Sequence, residues 1–403
     1  MAKEVSNQLV AVDIGSKTVK SIIAEIEDDG VINIIAVAKS NSESGMKKGN
    51  IVSISHAVES IRESIDAATN MATTEAKSVI ISISGDHIKT LNSKAVVAVN
   101  EEEITQSDIN KVLQKSKDSF ISQNKEVIHI IPQEYSVDEQ SVKSPINMTG
   151  SSLGAKVHVA LANSSNAKNL VSCFNKNNLE VMGMVFSPIA ASYGVLTEND
   201  KELGIIVIDM GHGTTTVSAY LNGSIAYSSI LPVGGYNITN DLAISLNIDS
   251  QTAENIKLDY GYVEVTKEDE HNFLELEKYN NIDMFTVSNV IADRVLETFA
   301  ILKKELEESG LYDKIHSGIV LTGGTANLNG IQILAKEVFD KNIKIGFPYH
   351  NIKGLDDVVK HPQYATLVGL LHFAREYNYS KDKKKKKGIS VFGKIKNIIL
   401  KMF

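Results

Sequence analysis

Two short stretches hold the side chains from which a reactive or binding centre would be built. VAVDIGSKT ends an apolar run on Asp13 and follows it with Gly15, Ser16 and Lys17. In the second half, IIVIDMGHGTTT ends a similar run on Asp209 and follows it with Gly211, His212, Gly213, Thr214 and Thr215. A carboxylate can hold a hydrated divalent cation, a glycine lets the backbone come close, and hydroxyls and amide N–H groups can hold phosphate oxygens. Paired across a cleft, Asp13 and Asp209 would grip Mg2+ between them, the ion that neutralises the β- and γ-phosphates of a nucleotide. Neither stretch is a Walker loop, because Ser16 stands where that pattern needs glycine before lysine. Nor is GHGTTT a dinucleotide fingerprint, since its third glycine is missing and a strand follows.

These turns need strands behind them, and the pattern supplies them. QLVAVDIGSKTVKSIIAEIEDDGVINIIAVAKS alternates β-branched residues with turn signals and predicts three antiparallel strands. A helix follows with Val58, Ile61, Ile65 and Ala68 on one face, then the strand VIISIS. From Gly85 the texture changes to a strand pair around KAVVAV, a helix opened by Thr105-x-x-Asp108, and KEVIHIIPQEYSVDE, which together predict an inserted subdomain. VHVALA is expected to resume the first fold. Beyond TENDKEL the chain starts again, with the same order of apolar strand, Asp-x-Gly turn and strand, so a duplicated fold with a cleft between its halves is expected. Later helices include one striped by Val295, Phe299, Leu302 and Leu306.

Composition narrows the functional classes. The 403 residues are 43% hydrophobic and 22% charged, as in a soluble multidomain protein, and the single Cys173 excludes an intramolecular disulfide framework. The opening residues lack the apolar core of a signal peptide, and no apolar run is long enough to span a bilayer, so a cytosolic protein with at most peripheral membrane contact is expected. The body has no tryptophan and no basic patch, which excludes nucleic acid as its partner. The last 23 residues differ in sign: nine lysines against one aspartate give a tail of +8 behind a body of about −16. Projected as a helix, Val391, Phe392, Ile395, Ile398, Ile399, Met402 and Phe403 fall within an arc of roughly 140°, with Lys394 and Lys401 opposite. That is the pattern of a helix lying in a membrane surface, and the preceding lysines would add about 1 kcal/mol each toward anionic lipids.

The two turns, with LPVGGYNIT, AENIK and GIVLTGGTANLNG, resemble the superfamily of actin, hexokinase and the heat-shock chaperone ATPases. Within it ISGDHIKTLNS, HIIPQEYSVDE, GAKVHVALA, YATLVGLLHF and the amphipathic terminus resemble the bacterial cell-division family FtsA over nearly the whole chain. The resemblance implies an α/β, actin-like (ribonuclease H-like) duplicated fold, two lobes around a nucleotide cleft. It places the core of lobe 1 (1A) at 1–84, 158–198 and 361–376, the inserted subdomain (1C) at 85–157, and the core of lobe 2 (2A) at 199–235 and 312–360. The outer subdomain of lobe 2 (2B) follows at 236–311, a flexible linker at 377–388 and a membrane-targeting helix at 389–403. It further implies that Gly15, Ser16 and Lys17 take one phosphate group and Gly211, Gly213, Thr214 and Thr215 another. Gly234, Gly235, Asn237, Glu254, Lys257, Gly323, Gly324 and Thr325 would line sugar and base. His212 departs from the glycine usual in this fold, and the helix beginning FSPIAASY has Ser187 where many relatives carry a water-orienting Gln, Glu or Asp. ATP binding with slow hydrolysis is therefore expected. The resemblance implies polymerisation on the cytoplasmic membrane at the division septum, anchoring of FtsZ filaments through their acidic C-terminal peptide at the outer subdomain of lobe 2, and recruitment of late division proteins; Arg294 is the cation expected to face that peptide. The rival reading is a sugar or carboxylate kinase of the same superfamily, which needs an acceptor base that the sequence does not show.

Overall fold

The computed structural model describes residues 8–120, 124–263, 273–276 and 279–376. The tail residues assigned above to lipid contact lie outside them. The first sheet has the strand order Glu180–Phe186, Ser78–Ile83, Gln8–Ile14, Thr18–Ile26, Ile32–Asn41, Ile352–Gly354. The second runs Ile343–Ile345, Ile319–Thr322, Ile205–Met210, Thr215–Leu221, Ser224–Leu231. In both, the strand that ends near the aspartate is antiparallel to its hairpin partner and parallel to the strand on its other side. The halves repeat one plan down to the register. Asp13 stands opposite Lys20 and Asp209 opposite Thr216, each seven residues further on. Each turn is closed by the same bond, Gly15 N to Thr18 O at 3.0 Å and Gly211 N to Thr214 O at 2.9 Å.

The inserted segment forms its own sheet, Lys89–Ala98, Ser152–Asn163, Lys125–Val137, Gln140–Val142, with the helix Gln106–Asp118 against it. That helix starts as predicted, with the Asp108 carboxylate accepting from Thr105 N at 3.1 Å and Thr105 Oγ1 at 2.7 Å. One expectation is corrected. VHVALA does not resume the first sheet, because Ser152–Asn163 is a single strand paired with both neighbours of the insertion as far as Leu161 and beyond. It reads as lobe core because it is covered on both faces, the insertion's own helix among the elements packed against it, so its residues are buried without alternation. The insertion also covers the edge strand of the second sheet. Asn92 Nδ2 donates to Ala226 O at 3.0 Å, Gln133 Nε2 to Ile225 O at 2.8 Å, and His158 Nε2 meets Ser228 Oγ at 2.7 Å. An open row of strand carbonyls, which would invite foreign pairing, is thereby occupied.

Between the lobes two helices cross, Ser187–Val195 and Ala365–Glu376. Their contact is backbone to backbone: a Cβ on Gly369 would stand 1.7 Å from Ala190 O, and one on Gly194 would stand 2.1 Å from Ala365 O. Glycine is required at both positions for the helices to approach this closely. The stripe Val295, Phe299, Leu302 and Leu306 on Met284–Glu308 is buried in the core of the second lobe, as expected.

Candidate functional site

Asp13 and Asp209 line the same cavity, of about 110 Å3, at the meeting of the two hairpins. Each is held by a hydroxyl from a distant element. Asp13 Oδ1 accepts from Ser82 Oγ at 2.8 Å, and Asp209 Oδ2 accepts from Thr366 Oγ1 at 2.9 Å. Lys20 Nζ lies 3.6 Å from Asp13 Oδ2. Burial raises the Asp209 carboxyl to about 6, the Asp13 charge adding to it while Thr366 opposes. A cation held between the two carboxylates would oppose that shift, as the nearby Lys20 already does.

The hairpins touch. A Cβ on Gly213 would come within 2.5 Å of Ser16 Oγ, and that hydroxyl accepts from Gly49 N at 3.0 Å. Gly323, at φ +87°, passes so close that a Cβ there would sit 2.3 Å from Asp209 Oδ1. Gly324 lines the cavity beside it. Thr214 faces the cavity, whereas the Thr215 hydroxyl donates to Val233 O at 2.9 Å and is fully buried. The strand alternates, so Thr216 rather than Thr215 shares the inward face with Thr214. The Thr216 hydroxyl is buried in the cavity wall with no hydrogen-bond partner in the structure.

Other expected ligand residues bond to one another. Lys17 Nζ donates to Glu254 Oε1 at 2.5 Å, joining the first hairpin to the outer part of lobe 2. Glu254 Oε2 accepts from Lys257 Nζ at 2.6 Å and from Thr239 Oγ1, and Lys257 also donates to Gly235 O at 3.0 Å. Burial alone would raise the Glu254 carboxyl, but Lys257 and Lys17 outweigh it and pull it down to about 2. Gly235 N and Thr325 Oγ1 both donate to Gly211 O, at 3.0 and 3.1 Å, so these two residues buttress the second turn from behind. Asn237 Oδ1 accepts from Gly234 N at 3.1 Å, and Asn237 shares an adjoining cavity with His212 and Tyr236. Burial lowers the His212 imidazole to about 4, so at neutral pH its 3.4 Å contact with Glu43 is made by an uncharged ring.

Lys20, Ser82, Thr216 and Thr366 join the site although the sequence reading did not name them. The signal for Lys20 and Thr216 was present, since each follows its aspartate by seven residues on a strand of period two. Ser82 and Thr366 come from other elements and carry no local signal. Among the described residues no three His, Cys, Asp or Glu side chains gather to hold a metal. A cation at this site would therefore rest on two carboxylates, its other positions filled by water or phosphate oxygens, which is how Mg2+ is held beside nucleotides.

The register yields a paired prediction. Thr215→Val removes a satisfied hydrogen bond and is expected to lower stability by about 1 kcal/mol with little effect on ligand binding. Thr216→Val removes an unpartnered hydroxyl, so stability should hold or rise by up to about 1 kcal/mol while binding in the cleft weakens. Urea midpoints and nucleotide titrations on both variants check it.

The arrangement agrees with comparisons to known proteins. The family described as "SHS2 domain inserted in FTSA" matches residues 85–161, and "Cell division protein FtsA" matches residues 206–369. Relatives named cell division protein FtsA include that of Pseudomonas aeruginosa, 35% identical over 91% of this chain and 88% of its own. That of Escherichia coli K12 is 33% identical over 91% and 90%. Among solved structures, a chain of the PilM-PilN type IV pilus biogenesis complex superposes with a TM-score of 0.68 at 15% identity, covering 91% of this chain and 98% of its own. MreB5 of Spiroplasma citri bound to ADP gives 0.51 at 12% identity, covering 94% and 100%. These neighbours share the actin-like ATPase fold. With duplicated sheets, facing Asp-Gly hairpins and an insertion of the matching kind, the chain belongs to the FtsA family of cell-division proteins.

Proposed function

We propose that the chain binds ATP with Mg2+ between its two hairpins, assembles with copies of itself on the cytoplasmic face of the cell membrane, and there anchors FtsZ filaments and recruits later division proteins. The observation that carries the nucleotide part is the pair Asp13 and Asp209 facing one cavity from equivalent turns. The Mg2+ of a bound magnesium nucleotide would supply positive charge between the two carboxylates and the phosphates. Lys20, the Ser16 and Thr214 hydroxyls and the hairpin amides are the groups of this chain placed to hold phosphate. Slow turnover is supported by the helix start at Ser187, whose hydroxyl donates to Ile83 O at 3.1 Å and whose neighbours offer no carboxylate or imidazole.

The membrane part rests on the tail sequence, and no helix among the described residues is long and apolar enough to cross a bilayer. For FtsZ the candidate surface is a groove between the helices Gly235–Leu246 and Met284–Glu308, with Ile244, Val290 and Arg294 in its lining. Arg294 is paired with Asp241 through Nε at 2.5 Å and Nη2 at 3.0 Å, and with Glu297 through Nη1. An acidic peptide would exchange one carboxylate for another there, with the exposed Ile244 giving apolar contact. Arg294→Glu is expected to weaken binding of an acidic, FtsZ-type C-terminal peptide at least about tenfold, read by fluorescence anisotropy.

The decisive experiment is sedimentation with phosphatidylglycerol vesicles, comparing the full chain with one ending at Tyr379. Loss of pelleting with intact ATP binding supports the reading. Equal pelleting of both chains removes the anchor from it.

A further inference from the structure

The last helix, Ala365–Glu376, ends beside an unusual piece of surface. One turn before its end, the His372 ring lies beside the backbone of His350. Glu376 Oε1 accepts from Tyr193 Oη at 3.1 Å, and Val195 on the same helix as Tyr193 packs against Gly346. The loop of residues 346–351 therefore lies at the point where the tail leaves the body. That loop reads GFPYHN, and it holds two aromatic rings out to solvent, Phe347 at 41% exposure and Tyr349 at 50%. The rings lean on one another with centroids 6.0 Å apart, and Tyr349 in turn packs on His350 at 3.6 Å. The start of the loop is pinned by Gly346 N to Leu321 O at 2.7 Å and Thr322 Oγ1 to Gly346 O at 2.8 Å.

Resting on the membrane reading of the tail given above, the geometry points to Phe347 and Tyr349 as a second lipid-contacting element, inserted at the headgroup level of an anionic membrane. Tyrosine, with an apolar ring and a polar hydroxyl, is concentrated at that depth in membrane proteins, and the Phe347 ring beside it adds apolar area to insert. The occupant follows from where the chain goes. The last described residue, Glu376, lies on this side of the body, and the sequence after it, 377–403, carries the basic amphipathic segment. The stretch 377–388 that precedes that segment reaches at most about 40 Å when extended. A tail alone would leave the body free to tumble within that reach. A second, rigid contact at the tail's root adds binding at high effective concentration and fixes which face of the body turns away from the lipid.

The chain has no tryptophan, so Phe347→Trp makes a single reporter at the loop. In the full chain its emission should shift to the blue on phosphatidylglycerol vesicles and be quenched by brominated acyl chains. Phe347→Ser/Tyr349→Ser should pellet with about five- to tenfold lower vesicle affinity than the unsubstituted chain, with ATP binding unchanged and the melting temperature lowered by no more than a few degrees, since the rings pack chiefly within their own loop. Pelleting of the unsubstituted chain reports the tail separately. Normal pelleting of that chain and of the double variant, with no shift or quenching of the tryptophan, overturns the loop contact and leaves the tail anchor standing. A blue shift that grows with protein concentration without vesicles assigns the face to a second copy and overturns the proposal as well. Failure of the unsubstituted chain to pellet ends both readings together.

Discussion

Asp209→Asn is expected to separate stability from ligand binding, making the chain more stable and unable to hold magnesium nucleotide. Folded Asp209 has its pKa raised to about 6, against about 3.9 in an unfolded chain, so between those values the folded state holds more protons. Stability therefore falls as pH climbs through that window, and above it the cost of the buried charge is complete. A two-unit gap corresponds to nearly 3 kcal/mol, and because the side chain is half-buried toward an open cleft about 1–2 kcal/mol is the sounder figure. Asparagine keeps an oxygen for the Thr366 hydroxyl and removes the charge. At pH 7.5 the variant should melt several degrees above the unsubstituted chain, and the difference should vanish near pH 4. Titration with Mg-ATP should show affinity reduced at least about 100-fold, since one of the two carboxylates proposed to face the cation is gone. A variant that melts lower at neutral pH, or that binds Mg-ATP normally, would refute the account of this cleft.

How much of this was legible beforehand depends on whether the information is local. The two hairpins were readable because each is complete within a dozen residues: apolar strand, aspartate, glycine, hydroxyls. The repeated plan followed from them, and the structure supplies the exact matching register that makes the halves equivalent. The capping pair Thr105 and Asp108 was readable for the same reason. What the sequence hid is pairing at long range. Lys17 and Glu254 both looked like ligand residues, and their 2.5 Å bond to one another spans 237 positions. Ser82 and Thr366 orient the aspartates from elements far away in the chain, where nothing in the local sequence marks them for that role. Thr215 was misplaced where the period of a strand would have selected Thr216. VHVALA was misplaced because burial on both faces erases the alternation that marks a strand of a small, half-exposed sheet. In the tail the amphipathic pattern is plain in the sequence, while Phe347 and Tyr349 acquire meaning only once the fold brings residue 350 next to residue 372.

Glycines inside an apolar helical run gave no warning either, and Gly369 carries the other large expected effect. In LVGLLHF it reads as one more small core residue, yet the neighbouring helix presents the Ala190 carbonyl 1.7 Å from where its Cβ would be. The obstacle is backbone on both sides, so no rotamer relieves it, and the helices must separate by more than an ångström to admit even a methyl group. This crossing joins the lobes, since Ser187–Val195 leads from the first sheet toward the second and Ala365–Glu376 returns from the second to pack on the first. Gly369→Ala is expected to cost at least about 3 kcal/mol and Gly369→Val more, enough to leave little folded protein. Gly310→Ala is the matched control. It sits at φ +69° with nothing within 4 Å of a Cβ, so only the backbone strain, about 1 kcal/mol, should appear. Urea unfolding of the three variants reads the difference directly. If Gly369→Ala costs no more than Gly310→Ala, the helices have room to move apart, and the close crossing is not what holds the two Asp-Gly hairpins in register across the cleft.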